Sequence, residues 1–451
     1  MKQKECGGKA DHQMLRPTST RIVAPVLVVF TLAACSVDGG EQDATVTDLP
    51  YIQSASKVAW TWATPDEVER KAIYPVPGGI AVLISGGVVA LSGDNGEPMW
   101  EYREPASLAK DAFGTVSDDG QHFVLQIDRT DQSDSRQMVI IDTETGDVVH
   151  EFQVQKDSPF AQSSEGQFTS VTDRYWLTVD TDSSEGGGTV SAYKVGTDER
   201  IWTAKELVDC KDSASVDSVL SADGTVIVAA TCFAPQATDE QDDGDMVVGQ
   251  DFTSTLVGLS ADSGEEIWRT DSDTGVFASD SHDRQMSLLE NGLASIYYPW
   301  SDTGQIVDPH TGELTTLEEG SALWADDEAS LFNVWDERTR NYWQQDLSGD
   351  ITKSIDGFER IPADDYQETA SRRDARVAGL SEGVVIAAEE VSADEGDQRI
   401  ALFRGFDGEK SIDFDWEGDQ ELRLTEARSA PGAVVISYSS GYKESGVIAL
   451  Q

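Results

Sequence analysis

The side chains with the most intrinsic reactivity are few in this chain, and their spacing narrows what they could do. Cysteines stand at 6, 35, 210 and 232. Cys210 and Cys232 are 22 residues apart. No CxxC pair or nearby His completes a metal-ligand set, which argues against a metal; the export route expected below permits disulfides, so a bridge between them is expected, two buried free thiols being the alternative. The histidines (His12, His122, His150, His282 and His310) show no metal-ligand spacing with one another. "DSDTG" (271–275) has the opening of a calcium loop, but the twelfth position is His282, where a bidentate Glu is required. It reads as a turn. HExxH, GxSxG, a Walker-type loop and GxGxxG do not occur. The expectation is a protein that is not an enzyme and carries no cofactor or metal.

Cys35 is the exception. A basic region ending at Arg21 precedes the apolar run "IVAPVLVVFTLAA" (22–34), thirteen residues long and ending in "LAAC" (32–35). Spanning a bilayer takes about 20 residues. The arrangement resembles the lipobox of bacterial lipoproteins, in which small residues fit the signal peptidase and the Cys thiol receives a diacylglycerol. The resemblance implies a signal peptide over 1–34, with Met14 as an alternative start. It also implies cleavage before Cys35 and two or three acyl chains on the new N-terminus, enough for stable anchoring where one chain is marginal. Residues 36–56 are small, polar and acidic, and read with Cys35 as a lipidated flexible tether (35–56). The expected place is the outer, extracytoplasmic face of a cell membrane.

Charge bounds the partners. Among 451 residues, 83 are acidic and 33 basic, a formal net of −50. Such a surface disfavours nucleic acid and anionic lipid, keeps the chain soluble and favours cations or basic segments. A merely acidic, salt-adapted surface is the plainer alternative, since only 13 residues are Lys. A monomer is expected.

The elements that would position any site are written in a repeated phrase. "LSGDNGEPMWEYR" (91–103), "IDTETGDVVHEFQ" (141–153), "LSADSGEEIWR" (259–269), "VDPHTGELTTL" (307–317) and "FDGEKSIDF" (406–414) each run from a strand through a polar turn with Gly into a second strand. Trp follows the Gly by four residues at Gly96–Trp100 and Gly264–Trp268, offering a large face to bury between neighbouring sheets. Gly146 and Gly312 mark copies in which His150 and Thr316 replace Trp; Trp202 follows the turn at Gly196. Another pair of strand-like runs precedes each hairpin, as in "DSVLSADGTVIVAATC" (217–232). The unit is therefore four short antiparallel strands. Turn glycines at 96, 146, 196, 264, 312, 349 and 408 are spaced by 50, 50, 68, 48, 37 and 59 residues, and a period of about 40 to 50 with four strands per unit is the mark of a β-propeller.

The expected fold is all-β, a propeller of eight four-stranded antiparallel blades over 57–451. Seven is the alternative, because the unit near 321–359 is weak. "KVAWTWAT" (57–64), with Trp60 and Trp62, is expected to complete the last blade beside "GAVVISYSSGYKESGVIALQ" (432–451). The turn-plus-Trp unit resembles the repeat of pyrroloquinoline-quinone-type propellers, found in quinoprotein dehydrogenases and in a lipoprotein of the outer-membrane β-barrel assembly machinery. That resemblance implies a fold and leaves the task open. Quinoprotein dehydrogenases of this type hold their quinone under adjacent cysteines, and this chain has none.

In such a unit the connections between second and third strands emerge at one end. They are long and acidic at 128–137, 180–188, 233–252 and 389–398. They form a candidate rim for basic segments of other envelope proteins. The first functional expectation is a membrane-anchored, non-catalytic binding or scaffolding module. A quinone- or calcium-dependent oxidoreductase and a ligand sensor for a partner kinase or transporter are the alternatives.

Overall fold

Runs of Val, Ile, Leu and Ala four or five residues long, such as 80–84, 88–91 and 226–230, cut by Gly, Asp and Ser, are too short for helices of any stability and suit buried strands. The computed structural model contains strands and no helix among its described residues. It describes residues 49–451 except 66–67, 106–107, 119, 132–133, 156–169, 173, 181–187, 198, 209–212, 234–251, 273–284, 290, 299–302, 318–320, 326–328, 336–339, 347, 356–375, 389, 392–397, 415–421 and 441–443.

Strand β1 (Val58–Ala63) stands apart from the strands that follow it. Sheet I holds β2 (Arg70–Val76), β3 (Gly79–Ile84), β4 (Gly87–Ser92) and β5 (Pro98–Arg103). Sheet II holds β6 (Ala109–Val116), β7 (His122–Arg129), β8 (Ser135–Asp142) and β9 (Val148–Gln155). In sheet III are β10 (Tyr175–Asp180), β11 (Thr189–Lys194) and β12 (Arg200–Ala204). Sheet IV follows with β13 (Ser213–Ala222), β14 (Thr225–Phe233), β15 (Phe252–Ser260) and β16 (Glu266–Ser272). Sheet V is built from β17 (Gln285–Leu288), β18 (Ala294–Tyr298), β19 (Thr303–Val307) and β20 (Leu314–Thr316). Sheet VI has β21 (Ser321–Ala325), β22 (Ala329–Trp335), β23 (Arg340–Asp346) and β24 (Ile351–Ile355), so the weakest repeat in the sequence still forms a sheet. Sheet VII has β25 (Val377–Leu380) and β26 (Gly383–Ala387). The two-residue β27 (Glu390–Val391) lies in the connection to β28 (Gln398–Gly405) and β29 (Gly408–Phe414), which complete the sheet. Sheet VIII is β30 (Leu422–Ala430), β31 (Ala433–Ser440) and β32 (Glu444–Leu450), flanked by β1 and β27.

All pairings are antiparallel and run in chain order within a sheet, with two departures in sheet VIII. There β1 pairs with β32, Trp60 opposite Ala449 and Trp62 opposite Val447. On the other edge β27 pairs with β30, Glu390 opposite Arg423. In sheet III three strands fall among the described residues, and the innermost position there shows a bridge from Val171 to Trp176 and bonds from Leu177 N to Ser170 O and from Thr172 N to Tyr175 O.

A lone sheet cannot bury both of its faces, so the sheets stack in sequence. Val76, Ala81 and Leu83 of sheet I pack with Phe123, Leu125 and Val139 of sheet II. Further clusters join II to III, III to IV, IV to V, V to VI, VI to VII and VII to VIII. One more joins Val435, Val447 and Ala449 of sheet VIII to Ile73, Ile80 and Val82 of sheet I. First strands pack on one another, β25 on β30, β30 on β2 and β2 on β6, which places them on the inside of a β-propeller.

Residues 49–56, assigned to the tether from composition, are packed on the propeller. Ala55 is 1% exposed in the cluster between sheets VII and VIII, with Ile52 against it. Residues 1–48, with the expected signal segment and Cys35, lie outside the described residues.

Candidate functional site

The repeat residues come first, because they fix everything else. In four of the turns an Asp or Ser at the end of the third strand, or just past it, caps the turn: Ser92, Asp142, Asp308 and Asp346. Asp142 Oδ1 accepts from Glu144 N (3.0 Å) and Thr145 N (2.7 Å), and Gly146 N donates to Asp142 O (2.8 Å). Gly146 has φ +76°, which a side chain would strain. A Cβ there would also lie 2.3 Å from Cβ of Trp100. Trp100 belongs to the preceding sheet, and its Nε1 donates to Thr143 O (2.7 Å). The same lock recurs. Trp60 covers Gly96 and donates to Gly93 O (3.0 Å), and Trp202 covers Gly264 and donates to Ala261 O (2.8 Å). Trp268 covers Gly312 and donates to Pro309 O (2.7 Å). Each indole thus reads the turn of the next sheet. Between sheets II and III, Phe152 meets Gly196, two residues on from the position of His150. The i, i+2 step keeps it on the same face of β9.

Cys232 lies on β14 and is disulfide-bonded. Cys210 lies outside the described residues.

In up-and-down sheets the first-to-second and third-to-fourth turns share one end, and the second-to-third loops share the other. Of the acidic loops, 181–187, 234–251 and 392–397 lie outside the described residues. The connection from β7 to β8 is partly described. Asp131 there is held by Arg129, Nε to Oδ1 at 3.0 Å and Nη2 to Oδ2 at 3.1 Å. That hydrogen bond keeps the Asp131 carboxyl below its ordinary range.

Around this loop, at the same end of sheets I, II and VIII, charged and polar groups meet. Gln137, 4% exposed, accepts from Arg129 Nη1 (2.9 Å). Its amide faces Tyr102 Oη (3.2 Å), Glu104 Oε1 (3.0 Å) and Glu151 Oε1 (2.8 Å). Burial, then Glu104 and Glu151, push the Tyr102 phenol up, so it stays protonated. Nearer the inside, Lys71 pairs with Asp111, and Arg136 donates to Asp128 Oδ1 (2.9 Å). Both cations lie over the Phe113 ring, at 5.2 and 5.5 Å from its centroid. Arg70 Nη2 donates to Thr425 Oγ1 (3.0 Å) across sheets I and VIII. Loss of water lowers the pKa of Arg70 and of Lys71, Glu69 opposing the shift in both.

This arrangement can recognise charge and hydrogen-bonding groups. Among the described residues no group of three or more His, Cys, Asp or Glu could hold a metal ion. Likewise no described helix is long and apolar enough to cross a membrane. The sequence reading missed the cationic cluster. The adjacent pair Arg70-Lys71 opening a first strand, in so acidic a chain, was the available signal. It also missed Asp118, whose Oδ2 accepts from Ser221 N (2.7 Å) and Ser170 Oγ and so bridges sheets II, III and IV.

No family model matches the chain, and no curated protein does. Solved structures with a similar fold include BamB from Moraxella catarrhalis, 13% identical with a TM-score of 0.44 over 86% of this chain and all of that one. A quinohemoprotein alcohol dehydrogenase from Pseudomonas putida is 10% identical, with a TM-score of 0.41 over 87% and 76%. The WD40 domain of Toxoplasma gondii coronin is 12% identical, with a TM-score of 0.34 over 88% of each chain. At such identities the likeness concerns the fold alone. With TM-scores below 0.5 it bears on neither activity, ligand nor partner.

Proposed function

We propose that the chain is a lipid-anchored, extracytoplasmic propeller of eight blades that binds other envelope proteins and performs no catalysis. The ring reading is supported by the apolar cluster between sheets VIII and I and by β1 pairing with β32. Cys35 carries the anchor, and Cys210 pairs with Cys232. The binding reading rests on one observation above others. Asp131 is held outward on Arg129 at the end where the acidic second-to-third loops emerge, over a rigid base of paired charges. Loops on such a scaffold are where recognition is built, and the formal charge of −50 favours a basic partner segment.

The test is crosslinking in membranes of the source cells. Wild type is compared with a variant in which Asp239, Glu240, Asp242, Asp243 and Asp245 become Asn or Gln. Loss of specific crosslinks is expected, and a variant that keeps every partner overturns the loop reading. Native mass spectrometry with added pyrroloquinoline quinone and Ca²⁺ tests the catalytic alternative. A stoichiometric mass gain would overturn the non-catalytic one.

A further inference from the structure

The chain enters the propeller at one defined end. Gly432 N, in the turn between β30 and β31, donates to Pro50 O (2.9 Å), and Tyr51 bridges Pro431. Glu382 N, in the turn between β25 and β26, donates to Gln53 O (3.2 Å). Ser56 N and Lys57 N then donate to Gln451 O, at 2.9 and 3.0 Å, where β1 begins beside the end of β32. All these partners belong to turns or strand ends at the turn-bearing end. No step of 49–57 touches a second-to-third loop among the described residues.

Between Cys35 and Leu49 lie residues 36–48, thirteen in number. Fully extended they span at most about 45 Å. A Cβ on Gly432 would lie 3.1 Å from Leu49 Cδ1, so Leu49 starts near the inner strands. Reaching the opposite end means crossing about three strand spacings, roughly 14 Å, and then a strand length of about 25 Å. That path uses nearly the whole reach before any contact with lipid. A membrane beyond the turn-bearing end needs almost none of it.

We infer that the turn-bearing end faces the membrane and that the loop-bearing end, with Arg70, Lys71, Arg136 and Asp131, faces away from it toward soluble partners. This orientation rests on the anchored reading proposed above. The turn-bearing end does not adsorb to lipid. Asp94, Glu97, Glu144, Asp147, Asp262 and Glu265 are all exposed there, and anionic headgroups repel them. The repulsion reaches about 8 Å at physiological salt, so it sets a narrow gap and leaves the tether to fix orientation.

The experiment uses the full lipidated chain in phosphatidylcholine–phosphatidylglycerol vesicles with an acceptor dye on the headgroups. A donor dye is placed on Glu97→Cys at the turn-bearing end or on Asp131→Cys at the other. Cys232 is disulfide-bonded and does not compete for label. Transfer at least twofold stronger from position 97 is expected. Equal or reversed transfer from protein that floats with the vesicles overturns the orientation and leaves the anchor standing. Protein that does not float, matching a Cys35→Ser control, overturns the anchor reading and the orientation with it.

Discussion

The indole of Trp100 both fills the space over Gly146 and satisfies the carbonyl of Thr143, and the two roles separate by mutation. Trp100→Phe keeps most of the ring and loses the hydrogen bond, at a cost of about 1 kcal/mol. Gly146→Ala is the harsher change, because its Cβ would meet Trp100 at 2.3 Å while φ stays at +76°. Gly224 is the control. It has φ +78° but nothing within 4 Å of an added Cβ. Gly224→Ala should cost about 1 kcal/mol of backbone strain, and Gly146→Ala about 2–4 kcal/mol once overpacking is added. Urea midpoints measure the difference. Equal midpoints for the two glycine variants would show that the indole does not lock the turn.

Between elements, the inner strands β2 and β6 are joined by Tyr74, whose hydroxyl donates to Gly114 O at 2.6 Å. Burial and then Glu426 push its phenol up to about 12 from an ordinary 10. Between pH 10 and about 12 the unfolded chain releases a proton that the folded one keeps, so stability falls as pH rises through that window. Two units correspond to about 2–3 kcal/mol. Tyr74→Phe should be less stable at pH 9 yet lose less between pH 10 and 12, by urea unfolding at each pH. Parallel losses would sink the assignment. The hairpin strands around each turn were legible in the sequence, because short apolar runs and Gly-centred turns are local signals. Trp60, Trp100, Trp202 and Trp268 were legible as large faces needing burial, but which turn each one covers was not. That depends on the sheet after it, 33 to 59 residues away. Phe152 standing in beside His150 and the cluster of Lys71, Arg136 and Phe113 are likewise products of stacking. Their partners are remote in the chain.

At the scale of the molecule the decisive contact is the one between the two ends of the fold. Gln451 N donates to Lys57 O (3.0 Å), and the Gln451 side chain reaches Gly93 O, Asp94 O and Gly432 O at 3.3, 3.2 and 3.0 Å. Trp60 locks the same place from the other side, over Gly96 of sheet I. Joining residues |i−j| = 395 apart, as Ser56 and Gln451 are, costs about 5 kcal/mol of chain entropy by the logarithmic scaling of loop closure. The apolar cluster shared by sheets VIII and I, to which Trp60 and Trp62 add, must offset that cost. Removing residues 49–63 would expose β32 as an unpaired edge beside an uncovered apolar surface, a template for pairing with another copy. The truncated chain should therefore self-associate in a concentration-dependent way by light scattering and be cut first within sheet VIII by protease. A synthetic peptide covering 49–64 should reverse that self-association, because it returns both the edge hydrogen bonds and the two indoles. A truncated chain that stays in one state and as protease-resistant as the whole would mean that sheet VIII does not depend on β1, and that the stacking of the other sheets alone holds it in place.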